Sequence, residues 1–332
     1  MDRKISVSIR LTLLFLAGCP KPEVADKPPT PDEILGMELS KRALALPYDG
    51  PETVGGMPAA LLYRANRGRS VIDASDRFIF PPQVRRVWVD IGAHELEHTL
   101  HAMMAYSDLG VIAVEPLSEK WASWPNVVNL VTIPFALFDE EGVMTFHVNA
   151  FKQTSSLLAS DGDDREFGRL LRTKEDRQVS VFRLDRILKR IPKNLCIEFL
   201  KTDVQGVDLQ VLKSGADELK RVKIIRAEVI NRPIYDGKGQ SMSGPDEFKS
   251  YLGGIGFKHV TEFDTMVAEG EVAWTNLEFL REEWPCETPP KDGKVLHEEI
   301  DESYKMHKQA WTFSRPLATS TTAVTITSSR TE

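Results

Sequence analysis

Five short apolar runs, the first three closing on turn residues, set the rhythm of the chain. They are "RRVWVDIG" (85–92), "GVIAVEP" (110–116), "NVVNLVTIPFAL" (126–137), "CIEFLKTDVQG" (196–206) and "VKIIRAEVI" (222–230). Runs this short, rich in Val and Ile and apolar at most positions, read as strands buried on both faces. A helical segment separates the first two, and a polar stretch carrying Trp121 and Trp124 separates the second from the third. "VDLQVLKSGADEL" (207–219) and "GPDEFKSYLGGIG" (244–256) place apolar residues at helical spacing. "FKHVTEF" (257–263) and "EVAWTNLEFL" (271–280) then read as a hairpin-like pair of strands. The alternation predicts a doubly wound, Rossmann-like α/β domain: a mostly parallel sheet covered on both faces, with an antiparallel C-terminal edge hairpin.

The flanks differ in character. Residues 1–19 carry Asp2-Arg3-Lys4, an apolar stretch interrupted by Arg10, and "LAGC" ending at Cys19. That is the pattern of a signal peptide, and it also resembles a lipobox in which Cys19 is lipidated. A membrane-associated or exported protein of the secretory pathway is expected if the segment acts as a leader, and a cytoplasmic one otherwise. Residues 20–75 begin rich in proline and charge and read as a tether and peripheral arm with one short helix over 32–46. The core domain spans 76–284, and 285–332 form a C-terminal extension whose Ser/Thr-rich tail (318–332) has the composition of a disordered segment.

Composition narrows the function classes. In 332 residues the formal net charge is −7, so no overall basic footprint points to nucleic acid as a partner. The basic clusters at 169–174 and 183–193 read as solvated helix faces. The three cysteines, Cys19, Cys196 and Cys286, are far apart and form no C-x-x-C, which indicates neither a disulfide framework nor a cysteine zinc site. Cys196, beside an apolar run, reads as a small core residue.

In a doubly wound sheet the ligand lies beyond the carboxyl ends of the strands, where strand order reverses. Three acids fall at such ends. Asp90 opens "DIGA" (90–93), in which Gly92 permits a tight turn. Glu115 closes the second run, 25 residues after Asp90, where a carboxylate can bind ribose hydroxyls. Asp203 closes the fourth run. Each also has a structural reading, Asp90 as a helix cap, Glu115 as a surface group and Asp203 as a brace for the next turn. Their order along the chain suits one cofactor pocket.

Taken with their surroundings, these residues resemble the FkbM-type S-adenosylmethionine-dependent methyltransferases. The family motif D-x-G-A-N-x-G-x-x-T stands here as "DIGAHELEHT" (90–99), and its second as "VIAVEP" (111–116). "FALFDEEGVMTFHV" (135–148), Ser155-Ser156-Leu157, "RLDRIL" (183–188) and "LKTDVQGVDLQVLKSGA" (200–216) follow in family order, over roughly residues 80–280. The resemblance implies a class I methyltransferase fold and S-adenosyl-L-methionine as cofactor. It implies that Asp90, Gly92, Ala93 and Glu115 hold that cofactor, with Phe135 and Ala136 flanking its adenine. Asp203 is implied as the positioning group or base for the methyl acceptor, with His147 and Glu228 as further candidates. The expected acceptor is a hydroxyl of a sugar, glycan or other small metabolite. The family's asparagine is His94 here and its second glycine is Leu96. A leucine there sets a side chain where backbone passes close to the cofactor, so the loop must take another path or lose affinity. A non-catalytic binding or scaffold protein on the same fold is the alternative.

A third reading starts from "HELEH" (94–98), which fits H-E-x-x-H, two imidazoles one helical turn apart with a glutamate beside a metal-bound water. Gly92, two residues upstream, sits badly inside such a helix, and the metzincin continuation is missing, since positions 101 and 104 hold His101 and Met104. No metal is expected.

Overall fold

Seven strands form the central sheet of this computed structural model, which describes residues 31–162, 164, 167–236, 243–268, 270–286 and 293–314. The expected leader with Cys19 and the Ser/Thr-rich tail lie outside the described residues. In chain order the strands used below are β1 (Arg86–Ile91), β2 (Leu109–Val114), β3 (Leu130–Ile133), β4 (Ala136–Leu137), β5 (Gly142–Asn149), β6 (Thr173–Phe182), β7 (Cys196–Thr202), β8 (Val222–Ile230), β9 (Lys258–Ala268) and β10 (Glu271–Leu280). The helices are α1 (Pro31–Leu44), α2 (Ala59–Ala65), α3 (Leu100–Ala105), α4 (Asp208–Ser214), α5 (Pro245–Gly254) and α6 (Gly293–Ser314).

The main sheet runs β9-β10-β8-β7-β1-β2-β3. Strands β8, β7, β1, β2 and β3 pair in parallel, and β10 and β9 add antiparallel at one edge. From β1 the chain winds outward to β2 and β3, then returns to the other side of β1 as β7. Strand order therefore reverses between β1 and β7, the place in such a sheet where a crevice opens beyond the strand ends. The strands β1, β2 and β7 are buried at every position, including the charged Arg86, Asp90, Glu198 and Lys201 that interrupt the apolar runs of β1 and β7.

The third predicted run breaks in two. Pro134 cannot donate to a ladder, so β3 ends at Ile133 and Ala136–Leu137 joins a separate sheet of order β4-β6-β5. This second sheet stands over the crevice. The N-terminal arm packs inward: Met57 and Leu62 are buried in the main core, and the buried Asn66 side chain accepts from Thr132 N–H and donates to the Thr132 carbonyl.

Two features were not legible in the chain. Arg86, at the start of β1, is buried and bonded to Asp108 (2.9 Å), Glu198 (3.0 Å) and Glu299 (2.9 Å). Arg226 on β8 pairs with Glu278 and Asp301. Glu299 and Asp301 belong to α6, whose Leu296 and Ile300 are buried against the same face of the sheet. The helix is thus seated by paired charges as much as by apolar contact, and buried charges are tolerated because each has partners. The second feature is a disulfide between Cys196 and Cys286, Cα atoms 5.5 Å apart, which ties the start of β7 to the segment leading into α6. This corrects the expectation of Cys196 as an unpaired core residue: its partner is 90 positions away in sequence, and only folding brings them together.

Candidate active site

A cavity of 1460 Å³ opens at the carboxyl ends of β1, β2 and β7, under the small sheet. Six of the expected site residues line it: Gly92, Glu115, Phe135, Ala136, Asp203 and Glu228. Asp90 and Ala93 do not. Asp90 is fully buried behind the loop, and Ala93 lies in the second apolar cluster with its N–H bonded to the Val114 carbonyl.

The motif spacing has a physical basis. Asp90 Oδ2 accepts from Thr99 Oγ1 at 3.1 Å, so the first and last residues of "DIGAHELEHT" close the loop on itself. Asp90 Oδ1 lies 3.6 Å from Lys201 Nζ. Gly92 has φ +72, and a methyl group there would lie 1.9 Å from the Asp203 carbonyl oxygen, so the loops after β1 and β7 approach at this glycine. Lys201 Nζ crosses between them, donating to the Gly92 carbonyl at 3.0 Å and pairing with Asp203 Oδ2 at 3.3 Å. Burial pulls the Lys201 ammonium towards neutrality, but Asp203, Asp90 and Glu97 outweigh it and hold the pKa above its usual range. Burial raises the Asp90 carboxyl, opposed by Lys201.

Glu115 is buried and takes two backbone N–H bonds, from His94 to Oε2 (3.1 Å) and from Leu117 to Oε1 (2.9 Å). Its position is therefore set by the loops it joins. Each oxygen keeps a further lone pair for a ligand hydroxyl. Burial raises its pKa, opposed by those N–H groups.

Leu96 settles the departure from the family pattern. Its φ is +60 and that of His94 is +39, so the two positions where the family carries glycine and asparagine keep a left-handed backbone here without those residues. The Leu96 side chain is 1 % exposed and packs with Ala93, Met103, Trp121 and Trp124 in the second apolar cluster. It does not line the cavity. Trp124 Nε1 donates to the His94 carbonyl at 2.9 Å and pins the loop from outside. Replacing Leu96 by the family's glycine is expected to destabilise the fold by about 2 kcal/mol, since the lost burial exceeds the backbone strain relieved. Denaturant melts measure this, with cofactor affinity holding within about twofold; a stabilised variant would contradict it.

The loop after β7 is braced by a residue the sequence reading passed over. Asp208, buried at the start of α4, accepts from Thr202 Oγ1 (2.8 Å), Val204 N–H (3.1 Å) and Gly206 N–H (3.2 Å), and burial pushes its carboxyl up to about 7. Asp203, released from that duty, faces the cavity. Gln205 Nε2 donates to Asp203 Oδ1 (2.7 Å) and to Glu228 Oε2, while its Oε1 accepts from Tyr235 OH at 2.8 Å. Burial, then the charge of Asp203, holds Glu228 well above the carboxylate range. Ser156 of the Ser-Ser-Leu motif donates to the Gln205 carbonyl at 2.7 Å, which explains why that motif accompanies the Asp203 loop. His147 lies on β5, bonded to Asp176 at 2.7 Å, and does not line the cavity.

The zinc-protease reading is overturned by the backbone. Residues 95–99 form turns and α3 starts only at Leu100, so His94 and His98 do not share a helix face. His94 Nδ1 shares a hydrogen bond with Glu97 at 3.0 Å, and the His98 ring stacks on Tyr304. Among the described residues, the metal-type ligand atoms that come together are those of His94, Glu95 and Glu97. Glu97 hydrogen-bonds His94 and Glu95 pairs with Lys120 at 3.1 Å.

The methyltransferase FkbM domain model matches residues 90–266, from the acid of the first loop into the edge hairpin. The chain belongs to the FkbM methyltransferase family. Its FkbM domain is a class I, S-adenosylmethionine-dependent methyltransferase domain. No curated protein matches the sequence. Among solved structures, the antibiotic-resistance methyltransferase Kmr is 13 % identical, with 60 % of this chain and 89 % of Kmr covered at a TM-score of 0.31. The 16S rRNA (adenine(1408)-N(1))-methyltransferase from Catenulisporales acidiphilia is 13 % identical, covering 61 % and 90 % at 0.30. Streptococcus pneumoniae Sp1610 in complex with S-adenosyl-L-methionine is 12 % identical, covering 70 % and 86 % at 0.30. Likeness this loose transfers no residue roles to the FkbM domain.

The cavity suits the family's cofactor on its own chemistry. Glu97, Glu115 and Asp203 line it against Lys152 and Lys201, acidic groups that suit a ligand bearing a sulfonium and an ammonium. Sequence reasoning missed Lys201, Glu97, Gln205 and Tyr235. Lys201 and Gln205 stood inside "LKTDVQG" and Glu97 inside "DIGAHELEHT", whereas Tyr235 had no signal in the chain.

Proposed function

We propose that the protein transfers a methyl group from S-adenosylmethionine to a hydroxyl of a small-molecule acceptor. The observation that carries this reading is the meeting of Gly92, Glu115, Lys201 and Asp203 in one cavity at the β1/β7 reversal. Glu115 would take the ribose hydroxyls, the Gly92 loop would admit the cofactor's amino-acid end, and Phe135 and Ala136 would flank the adenine. Asp90 would act from behind by orienting Lys201. When bound, the cofactor supplies a methyl on a cationic sulfur that leaves as a neutral thioether, so the acceptor needs placement and somewhere to send its proton. Asp203, held by Lys201 and Gln205, would take that proton as the new C–O bond forms.

Calorimetry with S-adenosylmethionine and S-adenosylhomocysteine tests the binding half, and saturable binding is expected. In Asp203→Asn, turnover should fall at least about 100-fold with cofactor affinity within about threefold. Absence of any cofactor binding would favour a scaffold on the same fold.

The Cys196–Cys286 disulfide and the leader-like residues 1–19 support a membrane-associated or exported location, since disulfides persist in oxidising compartments. The cofactor would then have to reach that compartment. Among the described residues no helix is long and apolar enough to cross a membrane. The net charge of −7 supports an acceptor other than nucleic acid.

A further inference from the structure

The cavity is larger than a cofactor needs. At 1460 Å³ it exceeds the roughly 300–1,000 Å³ of an ordinary small-molecule site, so space remains for an acceptor. The walls on that side come from the second sheet, residues 151–157 and 167–171, and the edge hairpin. They are apolar: Phe146, Leu157, Phe167, Leu171, Ile234 and Trp274. Phe167 and Trp274 pack ring to ring at 5.0 Å.

The polar side chains in this half are committed to the protein. Thr154 Oγ1 donates to the Phe151 carbonyl (2.8 Å), Ser155 Oγ accepts from Asn149 N–H (3.1 Å), and Gln153 Nε2 donates to Glu97 (3.3 Å). Tyr235 OH bonds the Thr154 carbonyl (2.9 Å) and Gln205 (2.8 Å), and Lys152 pairs with Glu119 at 3.3 Å. A polyhydroxylated sugar entering here would exchange its water contacts for aromatic carbon, which is unfavourable for every hydroxyl left unpaired. The mouth continues the pattern. Phe151, Leu170 and Val267 line the cavity and are 37, 44 and 49 % exposed, so apolar surface runs from the interior to solvent. Scattered exposed apolar residues mean little, but these three converge on one opening.

We propose that the acceptor is an amphiphilic alcohol. Its hydroxyl lies at Asp203, and its apolar chain runs along Phe146, Phe167, Leu171 and Trp274 and leaves between Phe151, Leu170 and Val267. This rests on the methyl-transfer reading of the same cavity and narrows its acceptor away from free sugars. Such a molecule is the kind found in or beside a lipid surface.

Straight-chain primary alcohols from hexanol to nonanol are the probes, titrated into the full chain by calorimetry with S-adenosylhomocysteine present. Affinity is expected to rise about fourfold with each added methylene, the value of burying one CH₂. Glucose and methyl glucoside are expected to show no saturable binding. The double variant Phe151→Ser/Leu170→Ser, at exposed positions that do not hold the core, should weaken nonanol about tenfold. It should leave hexanol and S-adenosylhomocysteine within about twofold. Affinity that does not change with chain length, or saturable glucose binding, overturns the proposal. S-adenosylhomocysteine binding with no alcohol series sinks the amphiphile and leaves methyl transfer standing, whereas a clean alcohol series without cofactor binding does the reverse.

Discussion

Replacing Gly92 by alanine is expected to destabilise the fold by roughly 2–5 kcal/mol and to abolish measurable S-adenosylmethionine binding. Two effects add. The backbone there is left-handed, with φ +72, a conformation that costs an L-residue about 1–2 kcal/mol. The new methyl would also meet the Asp203 carbonyl oxygen at 1.9 Å, and that oxygen belongs to backbone that cannot swing aside. Overpacking of that kind costs about 1–3 kcal/mol more and forces the β1 and β7 loops apart. Because Lys201 bonds the Gly92 carbonyl and the Asp203 carboxylate together, their separation would dismantle the polar end of the cavity. Gly270→Ala separates the two causes, since Gly270 has φ +85 and open space around its absent side chain. It should show the strain alone, about 1 kcal/mol. Urea melts of both variants, with calorimetry on the first, measure this, and a Gly92→Ala variant as stable as Gly270→Ala would refute the clash.

The second large effect is at Glu115. Glu115→Ala is expected to weaken S-adenosylmethionine binding about 100-fold, the loss of two charge-assisted hydrogen bonds to ribose. The carboxylate also holds the His94 and Leu117 amides, so a weaker variant could reflect a loosened loop. A cofactor analogue lacking the ribose hydroxyls distinguishes the two. If Glu115 binds ribose, wild type and variant should bind that analogue alike. If the analogue also loses about 100-fold, the residue shapes the loop and does not touch the ligand.

The structure changes the meaning of several residues without moving them. Asp90 was expected to hold the cofactor but does not line the cavity: its Oδ2 accepts from Thr99 and its Oδ1 lies 3.6 Å from Lys201 Nζ. Asp203 was open to a purely bracing role, but Asp208 braces that turn, which leaves Asp203 facing the cavity. Leu96 looked like an obstruction and is a core residue, because the left-handed backbone turns its side chain away from the ligand side. The Asp90 and Asp208 bonds are short in sequence, but which carboxylate takes them depends on how the loops after β1 and β7 meet in space, which no periodicity announces.

Apolar runs of strand length, separated by helical spacing, already define the sheet, because they have few ways to bury themselves other than as parallel strands under helices. The spacing from Asp90 to Thr99 likewise defines the loop after β1, being the span of one hydrogen-bonded closure. Tertiary structure alone decided the rest. The Cys196–Cys286 bond, the Arg86 and Arg226 ion pairs under α6, and the bond from Gln205 to Tyr235 all join residues tens to hundreds of positions apart. Their energies depend on distance and burial in space, and those quantities do not exist until the chain has folded.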